Sequence, residues 1–429
     1  MTATATQTPP PAAPRVTNGG KAPRLRITFP VILLIIAAAL IVVSLVRIIT
    51  GANDITSDGQ IAGALAGAVP IGLAGLAGLW SERAGVVNIG LEGMMILGAF
   101  FGAAVGWQTD PWLAVLAGVL GGAAGGLVHA IVTVTFGVDH IIAGVAMNIL
   151  ATGVTAYLAK RWFTVGEAAS KGGSPKQSPP MDSIKSFTVP GLSHWLATVE
   201  NHHWFLISDI AGILGGLVTH ISSLTILTLV LFVATFFVLW RTAFGLRLRS
   251  CGENPVAAES LGVNVYFYKY MAVIISGGLA GLGGVFLAIG THFYLAGQTG
   301  GRGYIGLAAM IFGNWRPGGL AMGAGLFGYA DSLQLRNGSS SVHALLLLLA
   351  LLLLAMAAWK FFRKSYVPAA VALGFAVLLA VWYALTDSVP DEVVQATPYV
   401  ATLLVMGLSA QRLRMPKADG VPYRKGEGG

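Results

Sequence analysis

The chain has a single cysteine, Cys251, in 429 residues, which excludes an internal disulfide and any cysteine-rich metal site. Only 10% of the residues are charged, where soluble domains carry about a quarter, so an ordinary soluble fold is excluded too. No G-x-x-x-x-G-K-[ST] string occurs, hence no P-loop to hold nucleotide phosphates, and neither H-E-x-x-H nor G-x-S-x-G is present. With no long soluble stretch either, an intramembrane enzyme has little support. What fills the chain instead is apolar: 55% hydrophobic residues and 57 glycines, with a mean hydropathy of +0.74. Apolar runs of about 20 residues recur along most of the length. Glycine lets such helices approach closely in lipid. The expected class is an all-α, polytopic integral membrane protein.

Taken in order, residues 1–30 are rich in Thr, Ala and Pro, then basic, and read as a disordered cytosolic leader. A membrane-spanning body follows over 31–411, and 412–429 is a basic cytosolic tail. Spans are expected at 31–50, 61–79, 86–106, 112–136 and 141–159. An external loop then covers 160–223, holding GGSPKQSPP and a weakly apolar piece, 210–220, that lies on the surface or re-enters. A span at 224–240 leads to a polar loop (241–270), and further spans are expected at 271–290, 304–312, 320–335, 342–358, 367–385 and 393–410. The total is about 11–12 spans, the 304–312 piece being short enough for a half-helix.

Charge fixes the expected orientation. Most of the 26 Lys and Arg, Arg83, Lys269 and Arg316 among them, fall on one side, whereas Asp54, Asp58, Asp110 and Asp387 fall on the other. The basic side is cytosolic by the positive-inside rule, and so are both termini. Arg47 is expected to snorkel from the outer end of the first span. The formal charge of +8 is thus assigned to topology, not to a nucleic-acid partner.

The 244–270 stretch, FGLRLRSCGENPVAAESLGVNVYFYKY, carries a compact helix signature. Asn254 can cap, Pro255 fits the first helical position and Gly262 can end the helix left-handed. Ala257, Ala258 and Leu261 then share one face. Such a helix is either a plug for a groove in another protein or a solvated connector.

Polar residues inside apolar runs are costly, so each needs a partner or a wet cavity. In GLWSERAGVVNIGLEGMMILG (78–98), Asn88 and Glu92 lie four apart and can line a polar route; the structural alternative makes Glu82 and Arg83 an interfacial turn and Glu92 a buried acid. Asn148 is a weaker pathway candidate than an interhelical hydrogen-bonding residue. Asp331 and Gln334 share a face, and Asp331 either serves the pathway or pairs with Arg336. Two G-x-G-x-x-G strings, at 301–306 and 323–328, lack a βαβ context and are assigned to helix packing. His194, His202 and His203 with Trp195 and Trp204 read as an interfacial cluster, not a metal site.

Four segments together resemble permease subunits of bacterial ABC importers, in the simple-sugar and nucleoside branch and nearest to its nucleoside members: SERAGVVNIGLEGMMILGAF (81–100), FGLRLRSCGENPVAAESLGV (244–263), GRGYIGLAAMIFGNWRP (301–317) and PYRKGE (422–427). The resemblance spans about residues 60–427. It implies a coupling helix, comprising Glu253, Asn254, Pro255, Ala257, Ala258, Glu259, Leu261 and Gly262, seated on a separate ATPase that uses ATP and Mg. It also implies a companion permease, making a heterodimer, an extracytoplasmic substrate-binding lipoprotein and a location in the bacterial plasma membrane. The chain itself would need no cofactor and no metal. The GGSPKQSPP insertion and the long leader depart from the pattern. The rival reading is an ion-coupled secondary transporter with Glu92 or Asp331 as proton relay.

Overall fold

The computed structural model describes residues 29–336, 338–390, 392–394, 396–397 and 413–426. Its helices in chain order are α1 (Phe29–Thr50), α2 (Asp58–Arg83), α3 (Leu91–Gly106), α4 (Pro111–Ala130), α5 (His140–Trp162), α6 (Gly166–Ser170), α7 (Leu192–Glu200), α8 (Ile207–Val218), α9 (Ser223–Arg241), α10 (Ala243–Glu253), α11 (Pro255–Ser260), α12 (Val265–Thr291), α13 (Arg302–Phe312), α14 (Pro317–Leu335), α15 (Gly338–Phe362) and α16 (Tyr366–Leu385). A short antiparallel pair, β1 (Ser186–Phe187) against β2 (Ile221–Ser222), is the one sheet among the described residues.

Many of these helices begin on a polar residue that accepts from the first free backbone N–H groups: Ser57 for α2, Asp110 followed by Pro111 for α4, Asp139 for α5 and Asn264 for α12. Seven described helices are long and apolar enough to cross a membrane. The lowest-numbered stretch of the leader and most of the span expected at 393–410 lie outside the described residues.

The core is α12 packed on α2, α3 and α4, with α13 and α14 laid along α2 and α5 against α3. Small residues make this possible. A methyl group on Gly98 would sit 2.2 Å from the Gly281 carbonyl oxygen, and one on Gly122 would sit 2.3 Å from that of Gly277. Backbones therefore touch at α3–α12 and α4–α12. The second G-x-G-x-x-G string is explained the same way, since Gly328 lies on the α2 backbone at Ala64 and Ala68.

Between α5 and α9 the chain is ordered. Backbone bonds from Ser178 to the Tyr294 carbonyl, from Met181 to that of His292, and from Ala296 to that of Lys176 strap the GGSPKQSPP segment across the connector that follows α12. The 210–220 piece is α8, packed on α7 and the start of α2. Its Asp209 pairs with Arg47 at 2.9 Å. Arg47 is 2% exposed, so it is buried in an ion pair and does not snorkel. Its charge has a partner from a distant helix, which the surface would not have supplied.

Candidate functional site

Two short helices start in the middle of the bundle. The 11 residues of α13 span roughly 16 Å, about half the hydrocarbon thickness. Between α2 and α3, residues 84–90 are not helical. Irregular backbone at this depth must find protein partners, and side chains from three other helices supply them. Lys269 of α12 donates to the Gly85 carbonyl at 3.3 Å. His129 of α4 meets the Val87 carbonyl at 3.2 Å, and Nδ1 of His140 on α5 accepts from the Val87 N–H at 3.3 Å. The Asn148 amide donates to the Ile89 carbonyl at 3.0 Å.

The start of α13 is held just as closely. Gly301 takes a left-handed conformation, φ 80°, and offers no capping side chain. Glu92 of α3 supplies the cap: Oε1 accepts from the Gly301 N–H at 3.0 Å and Oε2 from the Gly303 N–H at 2.8 Å. A carboxylate at a helix N-terminus is favourable both as an acceptor and against the helix dipole. Gly303 permits the approach, because a Cβ there would lie 2.6 Å from the Glu92 nitrogen. Asn148 accepts from the Gly93 N–H at 2.7 Å and donates to the Tyr304 hydroxyl at 2.8 Å. Arg302, the first residue of α13, pairs with Asp331 of α14 at 2.6 Å.

Glu92, Asn148 and Asp331 therefore converge on one element, the N-terminus of α13. Asn88 sits beside them with its amide donating to Ser276 Oγ at 2.9 Å. It is fully buried. Two expectations are corrected. The partner of Asp331 is Arg302 and not Arg336, because α14 carries Asp331 to the start of α13. Glu82 and Arg83 are not an interfacial turn: Glu82 is 4% exposed, its Oε2 accepts from the Trp315 indole, and Arg83 donates twice to the Trp315 carbonyl. The Gln334 side chain lies outside the described residues.

At the other candidate stretch, α11 has the local form its sequence predicts. Asn254 Oδ1 accepts from the Ala257 N–H at 3.0 Å, Pro255 opens the helix and Gly262 has φ 79°. One residue falls on the wrong face: Ala258 is buried at 2%. The exposed apolar surface is Val256, Ala257 and Leu261, with Leu261 84% exposed. Glu253 is exposed at the end of α10, while Glu259 is half-buried.

Sequence reasoning gave no role to the tail, yet its 413–426 portion straps this end together. The Arg414 N–H donates to Asn314 Oδ1 at 2.7 Å, the Ala418 N–H to the Gly252 carbonyl at 2.9 Å, and the Tyr423 hydroxyl to Glu259. Asp419 is half-buried with its carboxylate oxygens enclosed beside Glu82; burial pushes its carboxyl up to about 7, against smaller lowering effects from Glu82, Lys269 and Arg83. Cys251 is buried as well, and burial pushes its thiol up to about 11. The only sequence signal for the strap was the PYRKGE string.

A multi-pass helical body, broken helices meeting at mid-depth and a short exposed helix at one end define a membrane permease. The chain belongs to the family described as branched-chain amino acid transport system / permease component, which matches residues 60–357. It is 34% identical over 370 residues to the guanosine ABC transporter permease protein NupQ of Bacillus subtilis, covering 84% of this chain and 94% of that protein. It is 31% identical over 374 residues to the nucleoside ABC transporter permease protein NupC of Lactococcus lactis, covering 85% and 96%. A putative glucose ABC transporter permease protein, TsgC13 of Haloferax volcanii, is 34% identical over 63% of this chain and 75% of its own. No solved structure gives a significant match. The chain is a multi-pass permease subunit of an ABC importer, and the relatives it resembles are transport components.

Proposed function

We propose that this subunit forms half of the translocation pathway for a nucleoside. The observation that carries this reading is the near full-length similarity to the guanosine and nucleoside permeases; the sugar-permease relative is matched over less of both chains. ATP and Mg are used by a separate subunit, on which α11 sits through Val256, Ala257 and Leu261. A companion permease completes the pathway, and an extracytoplasmic substrate-binding lipoprotein delivers the solute. Segment 241–270 and both termini face the cytosol of a bacterial cell. Movement of α11 is passed on to α13, whose start is held by Glu92, Asn148 and Asp331. Tyr304, 47% exposed and oriented by Asn148, offers a ring on which a base can stack. Proton relay by Glu92 is not favoured, because both carboxylate oxygens are engaged by backbone N–H groups.

The test is purification from native membranes followed by uptake in proteoliposomes. A nucleotide-hydrolysing subunit should copurify, and labelled guanosine should enter only with ATP and the binding protein, against excess unlabelled glucose. Leu261→Asp should lose the ATPase and the uptake while inserting normally. Uptake by this chain alone under a pH gradient would overturn the reading.

A further inference from the structure

Arg316, in the GNWRP string, has no part in the sites above. It is exposed and its guanidinium makes no hydrogen bond or ion pair with the described residues. It lines a cavity of about 740 Å³ between α9 and the opening turn of α14. Phe232, Val233, Phe236 and Trp240 line the α9 side. Val233 and Phe236 remain 57% and 41% exposed, and Phe236 stacks on Trp240 with ring centres 6.0 Å apart.

Charge gathers at one end of this groove. Arg83 and Arg249 lie 5.4 and 5.5 Å from the centre of the Trp240 ring, each tied to a backbone carbonyl, of Trp315 and Leu239. Arg241 ends α9 and is exposed. The backbone N–H groups of Gly318 and Gly319, also in the lining, have no helical carbonyl ahead of them and add to the positive potential. Among the described residues no acidic side chain lines the groove. A greasy slot running along a membrane helix and ending in several arginines matches a molecule with a long apolar chain and an anionic head.

We propose that the groove is a binding site for an anionic phospholipid, with an acyl chain along 232–236 and its phosphate at Arg316. A free phosphate would leave the aromatic slot unused. A zwitterionic lipid would place its own cation among the arginines.

Native mass spectrometry of the protein extracted from vesicles of mixed phosphatidylglycerol and phosphatidylcholine tests this. Wild type should retain phosphatidylglycerol over phosphatidylcholine by about fivefold or more, the contribution of one basic group at a membrane surface. Arg316→Gln should remove the preference, and Val233→Trp, which fills the slot, should lower retention of both lipids. Arg363→Gln, on the α15–α16 turn, should leave the preference intact and so reports folding. Equal retention by wild type, or a preference that survives Arg316→Gln, would overturn the proposal. So would a groove shielded by a second permease subunit, seen as a crosslink through Val233→Cys in the assembled importer.

Discussion

The start of α13 and the α15–α16 hairpin are both membrane-embedded, yet they are built on opposite rules. In α2, on which α13 packs, and in α12 behind it in the core, 61% and 72% of the most apolar window is buried; in α15 and α16 the values are 28% and 17%. The hairpin is regular and leucine-rich, and packs mainly on itself, with α1 alongside α15. Its few side-chain polar contacts include His343, stacked on Tyr383 and bonded to the Tyr383 carbonyl. Around α13 the backbone leaves the helix, and distant side chains meet its groups at Gly85, Val87, Ile89, Gly301 and Gly303. Polar residues here follow the irregular backbone, and hydropathy alone does not locate them.

The contrast is tested most severely by Glu92→Ala. The buried Gly303 N–H would lose its acceptor, at about 1–3 kcal/mol, and the half-buried Gly301 N–H would lose its own. Thermal unfolding in detergent should shift down markedly and uptake should be lost; unchanged unfolding would mean that Glu92 is not the cap. Gly303→Ala comes next. Its methyl group would strike the Glu92 backbone, and overpacking costs about 1–3 kcal/mol, so the same scan should show a smaller drop.

A third test concerns the tail. Asp419 has a folded pKa of about 7 against an ordinary 3.8, so the docked tail binds more protons than the free one. Docking should therefore be fully favoured below about pH 4 and weaken as pH rises through 7. Trypsin cleavage at Lys417 and Arg424 should accelerate over that window, and Asp419→Asn should flatten the profile. A flat profile in the wild type would detach Asp419 from docking. The smallest effect belongs to the hairpin: Leu352, 50% exposed, should change stability by within about 0.5 kcal/mol on replacement by alanine. A larger loss would mean that the hairpin is covered in the assembly.

Much of the framework was legible in the chain. The Asn-Pro start and glycine end of α11 and the half-length α13 depend on neighbours a few residues apart, and the abundance of glycine announced close packing without saying which helices meet. The partners were not legible. Lys269 reads as a topological charge but is 2% exposed and serves the Gly85 carbonyl across 184 positions. His129 and His140 gave no signal, because a lone histidine in an apolar run names no acceptor. A charge count says which side a residue belongs to, and only the packed helices say whom it meets.

The burial of Cys251 has a practical side. Its sulfhydryl is shielded from reagents and stays un-ionised near neutrality, so alkylating dyes should pass it by in the folded protein. The natural chain then serves as its own blank background, and a thiol introduced at Leu261 or Tyr304 would carry the only fluorophore, reporting either end of the machine without prior re-engineering.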